Sequence, residues 1–557
     1  MKKIILYSIA ACSILLSGCN GLLDLDPTDA VTNKIVVKSY ENGNLYLNSM
    51  YGSIHSFSQF GSMQSYPGLT DGLTDTFKYG SKSSNQTGMH YGFANKFIYG
   101  LAGVEASSCS FFLSKWEDIY TSIRRVNEFI SVLKDASFDK GDIDKLEGQA
   151  RFLRAYLYFQ LVIRHKEVII YDEDLLKYTD NMPLSTEAQG WDFIYADLMD
   201  AASKLPVKWD AANSGRITKG AAYALLSRAM LYAERWQQAN EAADEVLKLG
   251  VYSLMPGKTA ADYAKCFSTT AMQGNTESIL EFAYIAGKRH HNFDNIFSPG
   301  GDASVATLGL GTPTQDIVEL YEYAGGGEVD WTPWHVSGGT VIIPPYAKLE
   351  PRFGASILYN GANWKGRKIE AYEGGKDGWT APGTEKVEGR TTTGYYLRKL
   401  VDETHTDLVS KKSAQPWIAI RLAEVYLNKA EALYHLNDPL GASQMLSLVR
   451  KRVGLPELNL SSADLWKIIR KERKLELAFE GQLYWDMRRW KLAHIEYSGP
   501  SSRVHGFKIT KEGGLYRYLY IDADEMNRFF PEKFYQVPLP EQELQNNRAV
   551  QQYAIWR

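Results

Sequence analysis

Residues 472–481 read Glu472-Arg473-Lys474-Leu475-Glu476-Leu477-Ala478-Phe479-Glu480-Gly481, and the run closes at Asp486 and Arg489-Trp490. Three glutamates recur at every fourth residue, a spacing that places them on one face of a helix. Two carboxylates so placed could act as acid and base in glycoside hydrolysis. The same helix carries Arg470, Lys471, Arg473 and Lys474. A carboxylate paired with a cation has a lowered pKa and makes a poor general acid. The expectation is a structural salt-bridge network, not a catalytic pair.

Helical periodicity extends outward from this stretch. From Phe111 to Leu133, residues Trp116, Ile119, Tyr120, Ile123, Val126, Asn127 and Ile130 recur at spacings of three and four, and Leu146 to Val162 forms a second amphipathic helix. Ala221, Ala222, Leu225, Leu226, Ala229 and Tyr232 make one apolar stripe; after a turn near Glu234, Trp236, Ala239, Ala243, Val246 and Leu247 make the next, stopped by Gly250. The pattern repeats with Ala423, Tyr426, Leu427, Ala430 and Leu433, a turn at Asn437-Asp438-Pro439, then Ala442, Met445, Leu446 and Val449. Small alanines let paired helices approach closely, as in degenerate tetratricopeptide-like hairpins. Two regions, about 53–103 and 285–415, are instead rich in Gly, Pro, Thr and Tyr and read as loops with short strands. Long irregular insertions are frequently functional surfaces.

The chain has 557 residues, with 62 basic and 65 acidic side chains and a net charge of -3. That balance gives no reason to expect nucleic acid, which usually calls for a clustered basic surface. Lys2-Lys3 and the apolar run Ile4 to Leu16 read as a signal peptide over residues 1–18, too short to span a membrane as a helix. Leu16-Ser17-Gly18-Cys19 resembles the bacterial lipobox, which predicts lipid on Cys19 and attachment to a membrane surface, followed by an extended acidic tether. Cys109 and Cys266 read as core thiols.

Catalytic grammar is missing. Gly250 and Gly257-Lys258-Thr259 have too many residues between the glycines for a phosphate loop, and no His-Glu-x-x-His, Gly-x-Ser-x-Gly or Cys-x-x-Cys motif occurs. His290-His291 lack partners for a metal and read as a solvated loop. No metal, cofactor or enzymatic activity is expected.

Several stretches, in order, resemble the SusD/RagB family. They are Glu147 to Phe159, Gly215 to Ala222, Arg421 to Ala432, Glu472 to Gly481, and the tail Tyr535-Gln536-Val537-Pro538-Leu539-Pro540 followed by Glu543 and Asn546-Asn547. The lipobox with its following Leu-Asp-x-x-Pro matches the family's beginning, and Glu350-Pro351-Arg352 resembles its Asp-Pro-Arg element. Members often carry a Tyr-Gly-x-x-Pro turn after the early helix, where Arg164-His165-Lys166-Glu167-Val168 stands here. The resemblance implies a mainly α fold over 19–557, one SusD-like domain whose tetratricopeptide-like hairpins support a loop-rich ligand face. It also implies a surface-exposed, lipid-anchored outer-membrane protein, not an enzyme, that captures a glycan for a SusC-like TonB-dependent barrel.

Sugars pack their C–H faces on aromatic rings and need hydrogen-bonding groups around them. The candidate contacts are Asp71, Asp75, Tyr79, Asn85, Gln86, Tyr91 and Phe97 in the first loop region. In the second they are Trp331, Trp334, Asn363, Trp364, Arg367 and Trp379. The paired indoles of Val329-Asp330-Trp331-Thr332-Pro333-Trp334-His335 would form a platform whose double replacement by alanine leaves the melting temperature nearly unchanged. Other readings are a peptide-capturing member of the family, a protein-interaction scaffold of helical hairpins, and a glycoside hydrolase.

Overall fold

The computed structural model describes residues 37–57, 60, 70–79, 98–100, 113, 115–302, 309–381, 390–458 and 462–557. The leader, Cys19, Asn85, Gln86, Tyr91, Phe97 and Cys109 lie outside the described residues. Numbering only helices of nine residues or more, α1 is Tyr40–Asn48, α2 Trp116–Leu133, α3 Lys140–His165, α4 Glu187–Lys204, α5 Lys219–Tyr232 and α6 Trp236–Lys248. α7 is Ala260–Ser268, α8 Leu422–His435, α9 Pro439–Arg452 and α10 Ser462–Glu476.

Local chemistry sets several of these boundaries. Asp139 caps α3 by accepting from the Asp142 N–H, and Thr186 with Gln189 closes a capping box on α4. Thr218 accepts from Ala221 at the start of α5, and Asp438 accepts from Gly441 ahead of α9, where Pro439 occupies the first turn. The two expected hairpins are α5–α6 and α8–α9. Each turns through a non-glycine residue at positive φ, Glu234 at 56° and Asn437 at 62°. The hairpins stack through α6 and α8, where Trp236 lies on His435 at 4.0 Å and Lys429 reaches Asp244 at 2.8 Å. Fully buried Ala239, Ala243 and Ala430 permit that approach.

The strands are short and antiparallel. β1 (Phe77–Tyr79) pairs with β3 (Gly311–Pro313), which joins the two loop-rich regions. β2 (Ser278–Phe282) pairs with β8 (Trp417–Arg421), so the chain leaves the helical scaffold and returns to it on one ladder. Between them lie β4 (Ile357–Leu358), β5 (Asn363–Trp364), β6 (Arg367–Lys368) and β7 (Tyr396–Leu397), making the insert loop-rich as expected. A last hairpin, β9 (His505–Glu512) and β10 (Leu515–Asp522), turns through Gly513-Gly514 at φ 54° and 89°. Positive φ at both central residues suits a two-residue turn that matches strand twist.

Candidate functional site

The glutamates of the 472–481 stretch are locked in a buried ionic network. Arg352, which is 0% exposed, pairs with Glu350 at 2.6 Å and also with Glu472 and Glu476. Arg421 holds Glu277 at 2.8 Å and both Glu476 and Glu480 at 2.6 Å. Arg452 bridges Glu277 and Glu476, Arg450 bridges Glu322 and Glu472, and Lys399 meets Glu480. Burial opposes the Glu476 charge, yet Arg452, Arg421 and Arg352 together hold its carboxyl well below the usual carboxylate range. Glu480, likewise opposed by burial, is kept low by Arg421 and Lys399.

The network was expected, but its partners were not. Of the cations on α10 itself, Arg473 points to Asp486 at 2.7 Å, Lys474 to Asp75 at 2.8 Å and Arg470 to Glu496, while Lys471 lies between Glu328 at 3.3 Å and the network's Glu322 at 3.9 Å. Glu480 also lies beyond the helix, which ends at Glu476, and reaches the network through a turn with Phe479 at φ 63°.

Candidates in the first loop region serve this same architecture. Asp71 is fully buried and accepts from the Gly481 N–H at 2.9 Å, while Thr70 donates to the Gly481 carbonyl. Burial pushes the Asp71 carboxyl up to about 7. Asp75, half-buried, accepts from Lys474. Tyr79 is 1% exposed and lies so close over Gly72 that a Cβ there would meet its ring at 2.1 Å. The expectation that these three side chains stand at the surface is corrected for Asp71 and Tyr79.

The insert needs similar corrections. Trp331 and Trp334 are 5% and 7% exposed, with ring centroids 5.4 Å apart. The Trp334 indole donates to the Ile342 carbonyl at 2.8 Å. They are pegs, not a platform, because the loop folds back over them and Thr340 bridges to Tyr518 of β10. What the loop exposes is Val336, Val341, Ile342 and Ile343. Trp364 is 0% exposed, and its indole donates to Asp302 at 2.8 Å. Arg367 clamps Asp302 and Asp377, each at 2.6 Å, which fastens β6 to segments both before and after it. His291 is also buried, stacked on Phe60 at 3.9 Å, where a solvated loop was expected.

Of the predicted aromatics among the described residues, Trp379 keeps a partly exposed ring. The Lys508 ammonium lies 4.9 Å over it, and Lys508 pairs with Glu373 at 3.2 Å. Asn363 is exposed, and Arg367 keeps part of its surface. Sequence reasoning missed the contribution of β9: Lys508 beside Trp379, and Lys511 over Tyr372 at 5.1 Å and Tyr516 at 5.7 Å. The alternation Leu515-Tyr516-Arg517-Tyr518-Leu519-Tyr520 was the available signal for this hairpin. Half-exposed rings bordered by amine, amide and carboxylate groups are equipped to hold a polyhydroxylated ligand by stacking and hydrogen bonds.

Among the described residues, no group of three or more His, Cys, Asp or Glu side chains is arranged to hold a metal, and no helix is long and apolar enough to cross a membrane. Cys266 is a buried thiol, 3.7 Å from Glu277.

Comparison with known proteins places this architecture. Residues 276–556 match a family model described as the SusD family, and residues 69–231 match one described as starch-binding associating with outer membrane. A SusD-like protein of Formosa agariphila is 22% identical over 510 residues, 87% of this chain and 90% of that relative. A crystal structure of a SusD-like protein from Bacteroides fragilis superimposes with a TM-score of 0.78 at 26% identity, covering 94% of this chain and 98% of that one. A laminarin-binding SusD-like protein shares the fold at a TM-score of 0.63 and 22% identity, covering 93% of this chain and 99% of its own. With one model matching half of its length and the fold shared nearly end to end, the chain belongs to the SusD family.

Proposed function

We propose that the protein is a cell-surface lipoprotein that captures an oligo- or polysaccharide and delivers it to a SusC-like TonB-dependent transporter, without cleaving the glycan. The observation carrying this reading is the near full-length likeness to a fold that includes a protein described as laminarin-binding. The ionised, ion-paired state of Glu476 and Glu480 supports binding over hydrolysis, since neither retains a proton to donate. Trp379, Asn363 and Arg367, with Lys508, are the contacts we assign to the ligand face. The signal peptide and Cys19 supply the anchor in this reading.

Affinity electrophoresis through gels containing a panel of polysaccharides tests it. Retardation by at least one glycan, weakened in the Trp379→Ala variant, is the expected result. Absence of retardation throughout the panel, together with saturable peptide binding, would replace the reading with peptide capture. Metabolic labelling with radioactive palmitate, lost on Cys19→Ala, tests the anchor.

A further inference from the structure

The helical scaffold holds one tryptophan on a loop of its own. Trp209 stands in the connection from α4 to α5, partly exposed, and its indole N–H donates to the Ile217 carbonyl at 2.8 Å. Tyr252, also partly exposed, follows α6, and its hydroxyl meets that of Thr218 at 3.2 Å. Gly220 admits this ring, since a Cβ there would lie 2.3 Å from the Tyr252 oxygen. Both rings are thus pinned by their polar edges to the residues that open α5.

The two rings line one cleft of about 810 Å³, whose other walls are the turn at Ala271–Gln273 and β2. None of its residues belongs to the face around Trp379. Val207, Val251 and Met272 also line it and are exposed. Charge in the cleft is balanced, with Lys208 and Arg216 set against Asp210 and Glu281. Arg216 is engaged by Asn48, Gln149 and Asn213, and Asp210 accepts from Asn213 at 2.9 and 3.1 Å. Glu281 accepts from the Ala271 N–H at 2.9 Å and from the Ser278 hydroxyl. Lys208 and Ser214 are exposed and engage no other side chain among the described residues.

Balanced charge gives an ionic ligand no preference for this cleft. Two fixed rings, with an amine, a hydroxyl and carboxylate oxygens at their rim, instead suit a neutral sugar, whose C–H face stacks while its hydroxyls reach the rim. Rings already pinned need little ordering on binding, which lowers the entropic cost.

We propose that this cleft is a second saccharide site, taking a neutral sugar unit against Trp209 and Tyr252 and separate from the face around Trp379. The proposal rests on the glycan-capture reading and adds a site and a charge class to it. A polysaccharide that engages both sites is held more tightly than either holds it alone, because the second contact forms at high effective concentration.

Affinity electrophoresis of the full chain tests it, with laminarin, amylopectin and polygalacturonate in the gel panel. The proteins are wild type, Trp209→Ala, Trp209→Phe, Met272→Arg, Trp379→Ala and the Trp209→Ala/Trp379→Ala pair. Met272 is 73% exposed, so arginine there occupies the cleft without entering the core, and the melting temperature should hold. In a neutral polysaccharide that retards the wild type, Trp209→Ala and Met272→Arg should each weaken retardation about fivefold. Trp209→Phe should restore most of it, and the pair should abolish it. Retardation equal to wild type in both Trp209→Ala and Met272→Arg overturns the proposal and leaves the capture reading standing. A loss confined to Trp209→Ala, with a lowered melting temperature, assigns the indole to the fold and overturns it too. Retardation by polygalacturonate alone overturns the neutral class. Absence of retardation of the wild type in every gel removes the capture reading, and this site with it.

Discussion

Arginines and lysines collect in two places in this molecule, and the two differ in what faces them. Around Glu476, the cations Lys399, Arg352, Arg421, Arg450 and Arg452 meet the carboxylates Glu277, Glu322, Glu350, Glu472, Glu476 and Glu480. At the end of α3, Arg164 donates to the carbonyls of Leu113 and Gln160 and lies over the Trp485 ring, while Lys166 pairs with Glu187 at 3.6 Å. Matched charge ties distant segments into one core. A buried arginine met by carbonyls and a ring, as Arg164 is, has donors satisfied without a second ion to desolvate.

The largest expected effect lies in the matched cluster. Glu476→Gln leaves Arg352, Arg421 and Arg452 under-paired in the interior, which should destabilise the protein by about 3–5 kcal/mol. Chemical denaturation measures this, and a loss below about 1 kcal/mol would break the contrast by showing that the network holds little. Trp334→Ala tests the insert at comparable scale: with its ring buried and its indole bonded to Ile342, truncation should cost roughly 3 kcal/mol. An unchanged melting temperature would restore the platform reading that burial has removed.

Asp71 offers a titratable probe at the edge of the matched cluster. Burial raises its carboxyl from 3.8 to about 7, so the folded state favours the protonated form. The sign follows: the contribution to stability is fully present below about pH 4 and is lost as pH rises through about 7. Relative to Asp71→Asn, the wild type should lose roughly 4 kcal/mol between pH 4 and pH 8. Parallel stability profiles for the two proteins would remove Asp71 from the account. The smallest structural effect is expected for Trp379→Ala, below about 1 kcal/mol because the ring is partly exposed, with glycan retardation weakened nonetheless. Loss of folding in that variant would place Trp379 with the pegs.

Much of the scaffold was legible. Alanine and large apolar residues at helical spacing marked both hairpins, and Asn437-Asp438-Pro439 marked a turn and a cap. The glutamates at 472 and 476 were legible as paired groups, but their partners at 352, 421, 450 and 452 lie far along the chain or on other helices. No local pattern announces such pairings. Burial of Trp331, Trp334 and Trp364 was illegible for a related reason. Loops lack a period that separates inside from outside, and here the decision rests with β10 and Asp302. The positive φ of Lys166 carries no sequence signal, since lysine does not select that conformation.

The β2–β8 ladder has a consequence for how such proteins change. Phe282 pairs with Trp417, and their rings stack at 5.2 Å, so everything between residues 283 and 416 starts and finishes at one hem. A segment with adjoining feet can be lengthened or exchanged at an entropic cost that grows only as the logarithm of its length. Grafting residues 283–416 between relatives would test whether the insert sets ligand preference, provided the transplanted piece brings Glu322, Arg352 and Lys399. Those three side chains are the key that each new cassette must carry to fit the lock around Arg450, Glu476 and Glu480.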